Sequence, residues 1–130
     1  MKKILPAEWA TQDFVQLTWP HADTDWAYML EEVTECFVNI AREIVKRQQL
    51  LIVCVNAEEV ETFFSEDELQ GISFAKMPTN DTWARDHGGI TVYEDGKAVV
   101  YDFTFNGWGM KFAANHDNQI TRKLYQSGIF

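Results

Sequence analysis

The residues of this sequence best equipped for chemistry crowd into Pro78-Thr79-Asn80-Asp81-Thr82-Trp83-Ala84-Arg85-Asp86-His87-Gly88-Gly89, a stretch without apolar periodicity. Segments of that composition are loops, and loops are where sites are commonly built. A guanidinium or ammonium ligand needs carboxylates to accept its N–H donors, bidentately for guanidinium, and an aromatic face to cover its planar or alkyl part. Asp81, Asp86 and Trp83 supply those groups. In a purely extended strand Asp81 and Asp86 point to opposite faces, because side chains alternate along a strand and their separation is odd. One ligand reaches both only if the chain bends. Gly88-Gly89 gives the chain freedom to turn just after Asp86, which would leave that carboxylate at a strand end facing a cleft. The same residues also have a purely structural reading, in which Arg85 pairs with one aspartate, the other caps a turn and Trp83 packs in the core. From the residues alone both readings stand.

The elements that must position this run are legible from periodicity. Residues 14–19 alternate and end at Pro20, which predicts a short buried strand. From Thr24 onward Trp26, Met29, Leu30, Val33, Phe37, Ile40, Ala41, Ile44 and Val45 make the stripe of a long amphipathic helix, with Asp23 or Thr24 as its cap. Cys36 lies beside that stripe and is expected to be a small core residue. The run 50–55 is a continuous apolar stretch of the kind that forms a strand covered on both faces, and it carries Cys54 into the core. Asn56 and Glu59 open a short helix whose apolar face is Val60, Phe63 and Phe64 and which closes before Gly71. A strand over 72–77 completes a β-α-β-α-β unit with parallel pairing. Beyond the chemistry-bearing run, 90–93 and 98–105 are strand-like and flank a turn with the Asp95-Gly96 hairpin signal. Residues 117–127 carry Ile120 and Leu124 at helical spacing and predict a terminal helix.

Composition narrows the partners. The chain has 130 residues and a net charge of −9 from 11 basic and 20 acidic side chains. That acidity argues against nucleic acid and against an anionic membrane, since phosphate binding needs clustered Lys and Arg. It is permissive for a cationic small molecule. No apolar run approaches the ~20 residues that span a bilayer, and no signal segment opens the chain, so a cytoplasmic protein is expected. Two cysteines without Cys/His spacing form neither a disulfide scaffold nor a zinc site. His21, His87 and His116 lack helical ligand spacing and read as surface or turn residues, so no metal and no cofactor are expected. Asn106-Gly107-Trp108-Gly109 reads either as a sugar-stacking loop or as a glycine-rich turn with Trp108 packed inward.

The run Asn80-Asp81-Thr82-Trp83-Ala84-Arg85-Asp86-His87-Gly88, preceded by Met77-Pro78-Thr79, resembles the substrate loop of the agmatine deiminase and bacterial peptidylarginine deiminase family. Three further stretches resemble the same family in order. Pro6-Ala7-Glu8-Trp9 is similar to its amino-terminal opening, Leu17-Thr18-Trp19-Pro20-His21 to its first strand and turn, and Phe105-Asn106-Gly107-Trp108-Gly109 with Lys111 to its Phe-Asn-x-Trp-Gly-x-Lys segment. Gly89 stands where the family commonly has proline.

The resemblance implies a partial pentein (α/β-propeller) fold: the β-α-β-α-β unit, the hairpin and the terminal helix, with 1–130 as a single domain forming the amino-terminal portion of a larger pentein domain. It also implies hydrolysis of a guanidinium, in agmatine or in peptidyl arginine, by a thiolate that attacks the central carbon while ammonia leaves and a ureido product results. Asp86 matches the family's guanidinium-binding, catalytic carboxylate, and Asp81 and Trp83 match neighbouring substrate-binding positions. The family's catalytic His lies in a Gly-His-x-Asp segment and its nucleophile near the carboxyl terminus; neither stretch occurs here, and Cys36, Cys54 and His87 do not match them. The chain alone is therefore expected to be inactive. A second reading is a non-catalytic module that binds a cationic amine or guanidinium, and a homo-oligomer is left open.

Overall fold

The computed structural model describes all residues 1–130, and the chain divides into two compact units, Asp13–Ala84 and Met1–Gln12 with Arg85–Phe130. The element order contains the expected β-α-β-α-β arrangement, hairpin and terminal helix, with a short strand before them and extra helical turns between them.

The first strand of the chain, β1 (Lys3–Ile4), belongs to the second unit and was not legible in the sequence. In the unit Asp13–Ala84, β2 (Val15–Thr18), β3 (Leu50–Cys54) and β4 (Ile72–Lys76) form a parallel sheet in that order. Its register runs Val15 to Leu50 to Ile72. Every residue of β3 is buried, as its unbroken apolar run predicts for a central strand covered on both faces. Between β2 and β3 runs α1 (Leu30–Val45), which lays Val38 and Ala41 on a core with Trp19, Leu50, Ile52, Cys54, Val60, Phe64 and Ile72. Trp19 takes the rings of Phe37 and Phe64 edge-on at 5.7 and 6.1 Å, a favoured aromatic geometry.

Two expectations for α1 are corrected. Cys36 is exposed, not core. The buried side of α1 is the arc through Val33, Val38 and Ala41, and at ~100° per residue Cys36 falls roughly 140° from Ala41. Ile40, next to Cys36 on that outer side, is likewise 43% exposed. Nor does Asp23 or Thr24 cap α1: its N-cap is Met29, with no side-chain bond. The Thr24 hydroxyl instead donates to the His21 carbonyl at 2.7 Å, and a 3₁₀ turn at Ala27–Met29 separates that turn from the helix.

The β3-to-β4 connection holds two short helices. In α2 (Ala57–Glu61) the Asn56 side chain accepts from the Glu59 N–H, as its spacing predicts. The second, α3 (Glu66–Leu69), opens on a full capping box between Ser65 and Glu68, whose Ser-x-x-Glu spacing is present in the sequence.

Between the parallel sheet and the hairpin lies one helical turn, α4 (Ala84–His87). In the other unit β1 pairs antiparallel with β5 (Ile90–Glu94), and β5 with β6 (Lys97–Tyr101). Asp95 and Gly96 make the turn with φ of 48° and 83°, the two positive values of the type I′ hairpin. The Asp95 carboxylate accepts from Lys2 N–H, and Lys3 Nζ donates to the Tyr101 hydroxyl at 2.6 Å, which ties β1 to the hairpin at both ends. The second hairpin strand ends at Tyr101, short of the expected 105. Its continuation leaves the sheet because the Asn118 side chain takes both backbone groups of Phe105, at 2.7 and 2.8 Å. The terminal helix Ile120–Gln126 buries Ile120, Thr121 and Leu124. A Cβ at Gly89 would stand 2.4 Å from Val100 and 3.3 Å from Thr121, so the proline expected of the family does not fit here without moving Val100. No helix of the chain is long and apolar enough to cross a membrane.

Candidate guanidinium-binding loop

The run 78–89 is neither a strand nor a featureless loop. Residues 79–83 close the first unit as an irregular segment whose two threonines face inward: Thr79 is 5% and Thr82 8% exposed. Each is held by a side chain from the segment after β2. His21 Nδ1 accepts from the Asp23 N–H at 3.2 Å, which in a neutral imidazole leaves the proton on Nε2. Nε2 then donates to Thr79, with the hydroxyl at 2.9 Å and the carbonyl at 3.1 Å. Trp26 Nε1 donates to the Thr82 hydroxyl at 2.9 Å. The Asp81 carboxylate accepts from the adjacent Thr82 N–H at 2.8 Å, which fixes its direction.

Of the candidate site residues, Asp81 and Trp83 share this loop. Trp83 is 41% exposed, so it is not the core indole of the purely structural reading. Its ring lies 5.8 Å from that of Trp26 at an interplanar angle of 37°. Asp86 sits on α4, in the part of the chain that opens the other unit. The local backbone at Asp86 is helical, not extended. Asp86 is exposed, and the ion pair of Arg85 goes to Glu8 at 3.6 Å, not to either aspartate of the run. That pair is itself solvent-facing and contributes little. His87, one residue on, is buried at 2% exposure.

Neither His21 nor Trp26 carries a sequence signal that it anchors the loop. His21 looked like a turn residue and Trp26 like a helix-stripe residue, and only the tertiary contact with Thr79 and Thr82 gives either a role. No group of three or more His, Cys, Asp or Glu side chains gathers as metal ligands would.

Neither thiol has the surroundings of a nucleophile. Burial, then the charges of Glu58 and Glu61, pushes the Cys54 thiol up to about 11, whereas a reactive thiolate needs a cationic, accessible setting. Cys36 is exposed but lies among Glu32, Glu35 and Ile40 on the outer face of α1. A thiol titration under native conditions should therefore find one fast-reacting group, Cys36, and a second only after unfolding; two fast thiols would contradict the burial of Cys54. The raised Cys54 value also has a sign for stability. The folded thiol keeps its proton where the unfolded one has lost it, so stability should fall as pH climbs from 9.0 to about 11. Cys54→Ala should remove that slope in chemical denaturation.

The segment 105–112 departs furthest from a simple turn. Gly107, Trp108, Gly109 and Met110 all have positive φ, between 54° and 76°, and form one left-handed helical turn. Met110 and Lys111 N–H groups donate back to Asn106 and Gly107 carbonyls, and the Asn106 side chain caps Gly109 N–H at 3.0 Å. Trp108 is not packed inward: it is 42% exposed and meets Phe105 and Phe112 edge-on at 5.0 and 5.5 Å.

Comparison with known proteins places this geometry. The family model of the Porphyromonas-type peptidyl-arginine deiminases matches residues 4–129. Agmatine deiminase of Pseudomonas syringae pv. tomato is 31% identical over 128 residues, which are 94% of this chain and 34% of that protein. A crystal structure from Porphyromonas gingivalis, provisionally assigned as an arginine deiminase, superposes with a TM-score of 0.89 at 51% identity, covering 98% of this chain and 38% of that one. A cysteine-to-serine variant of C. jejuni agmatine deiminase with substrate bound superposes at 0.91 and 32% identity, again over 98% of this chain and 38% of that one. The chain thus spans about a third of the length of the curated relatives it matches. These neighbours are pentein-fold deiminases, and the partial pentein fold expected from the sequence is borne out. The four ordered motifs, the fold and the family model agree: the chain belongs to the Porphyromonas-type peptidyl-arginine deiminase family.

Proposed function

We propose that this chain is the amino-terminal, guanidinium-holding part of a deiminase that hydrolyses agmatine or peptidyl arginine. The family match over residues 4–129, with the run from Asn80 to Gly88 inside it, carries the reading. In the overall reaction one C–N bond of the guanidinium breaks, water supplies the oxygen of the ureido product, and ammonia leaves. The share of these residues is recognition. Asp86 accepts the N–H donors of the cation, Asp81 contributes a second carboxylate, and Trp83 covers the apolar stem. Cysteine-dependent attack needs a thiolate and a proton-transferring His. The burial of Cys54 and the acidic setting of Cys36 support assigning the thiolate to chain outside these 130 residues.

The test is an assay of the purified 130-residue chain beside the full-length gene product, with agmatine and with an arginyl peptide. Ureido product and ammonia are expected from the full-length protein and none from the 130 residues alone. Turnover by the short chain would overturn the division of labour, and no turnover by the full-length protein with either compound would overturn the activity. A rise in melting temperature of the short chain with agmatine, and not with its ureido counterpart, would favour a free-standing guanidinium-binding module.

A further inference from the structure

We propose that Trp26 is a positioning residue, which through Thr82 and its own ring fixes the plane in which the Trp83 indole meets the methylene stem of a guanidinium substrate. This rests on the reading of Trp83 as a substrate-binding residue and adds to it the group that orients it.

Three observations within the unit Asp13–Ala84 carry the inference. Trp26 is half-buried, yet it is drawn out of α1 altogether: the chain makes a turn at Thr24 and a 3₁₀ turn at Ala27–Met29 before the helix begins. An apolar stripe residue would gain nothing from that detour. What the detour achieves is the 2.9 Å bond from Trp26 Nε1 to the buried Thr82 hydroxyl, one residue before Trp83. The ring contact joins the two indoles directly: Trp26 leans on Trp83 at 37° with centroids 5.8 Å apart. Trp83 nevertheless keeps 41% of its surface exposed. An indole that is supported by a second indole and open to solvent is a wall presented to a ligand.

The consequence is preorganisation. A surface indole free to change rotamer loses that freedom when a ligand stacks on it, and the loss weakens binding. With Trp83 already leaning on an indole pinned by its own N–H, that loss is taken in folding. His21 plays the parallel part at Thr79, so both buried threonines of the loop are held from the same segment. A ligand with an aliphatic stem behind its guanidinium gains most from such a wall, because the stem offers only apolar contact and depends on the fit of the surface it touches.

Thr82→Val in the full-length gene product is the test, since valine keeps the shape, removes the acceptor of the Trp26 N–H and leaves both indoles in place. Two coupled indoles give a circular dichroism couplet whose sign and amplitude depend on their mutual angle. The couplet should weaken, and KM for agmatine should rise about three- to tenfold with kcat within about twofold of wild type. Thr82→Ser, which restores the hydroxyl, should recover both signals. An unchanged couplet in Thr82→Val would overturn the positioning role, and so would a changed couplet with unchanged KM. Equal loss of kcat and kcat/KM that follows a fallen melting temperature would also overturn it, as a general folding defect. If the wild-type protein turned over neither agmatine nor an arginyl peptide, the proposed function would fail, and with it the substrate half of this proposal. The couplet of Thr82→Val against Thr82→Ser would still decide whether Trp26 sets Trp83.

Discussion

Asp86→Asn in the full-length gene product is expected to lower kcat/KM for agmatine by about 10²- to 10³-fold while leaving folding intact. An amide keeps the shape of the carboxylate, offers one acceptor in place of two and removes the negative charge. A charge-assisted hydrogen bond to the cation is worth ~1.5–3 kcal/mol; losing one outright and the charge assistance of the other comes to ~3–4 kcal/mol, which is that loss in rate. The fold should not notice. Asp86 is exposed on α4, and the ion pair beside it is made by Arg85 to Glu8, so the change in stability should stay within ~0.5 kcal/mol. This separation of effects is the point of the experiment. A variant that loses activity and melting temperature together would make Asp86 a structural residue, and a variant with near-normal turnover would remove it from the site. Asp81→Asn should behave differently, because one Asp81 oxygen already accepts from the Thr82 N–H at 2.8 Å. There a smaller kinetic loss is expected, with stability nearly unchanged because the amide oxygen of Asn still accepts that bond.

How far the sequence led can be judged from particular elements. The central strand β3 and the Asp95-Gly96 hairpin were legible because their signals are local: an apolar run has one buried solution, and the turn residues adopt the two positive φ values that a type I′ turn requires. The long helix was legible in existence and not in its start or its facing. Helical periodicity is blind to a stretch such as 21–29, where side chains are diverted to contacts elsewhere. Cys36 was misplaced for a related reason, since a residue adjacent in sequence to a stripe can lie on the opposite side of the cylinder. In the site, residue types were enough to single out Asp81, Trp83 and Asp86. The tethers from His21 and Trp26 are not legible, because they rest on hydrogen bonds between segments more than fifty residues apart in the chain, and the helical turn at Ala84–His87 is too short to show a periodicity. Nothing in Asn106-Gly107-Trp108-Gly109 announced four successive left-handed residues either, although two glycines there permit it.

That left-handed turn carries the second large expectation: Gly107→Ala should destabilise the protein by at least ~3 kcal/mol, a large part of the ~5–15 kcal/mol that holds a domain of this size together. Two costs add. At φ of 62° any Cβ is strained, at ~1–2 kcal/mol. In addition, a Cβ at this position would stand 2.1 Å from the Phe112 carbonyl oxygen, a backbone atom that cannot rotate away. Relief requires moving the chain, which breaks the bonds from Lys111 and Phe112 N–H to the Gly107 carbonyl at 3.0 and 3.2 Å. Gly109 separates the two terms. It has φ of 76° but open space around its Cβ position, so Gly109→Ala should cost only the conformational term, about 1 kcal/mol. Met110 runs the comparison in reverse: it is 88% exposed at φ of 68°, and Met110→Gly should stabilise by a few tenths to ~1 kcal/mol. Denaturant midpoints of the three variants test the series. Equal costs for Gly107→Ala and Gly109→Ala would mean that the close approach to Phe112 is not real, and a destabilising Met110→Gly would mean that the turn is not left-handed. If the ordering holds, the strained turn is maintained by the rest of its unit, and what it maintains is the exposure of Trp108 between the edges of Phe105 and Phe112.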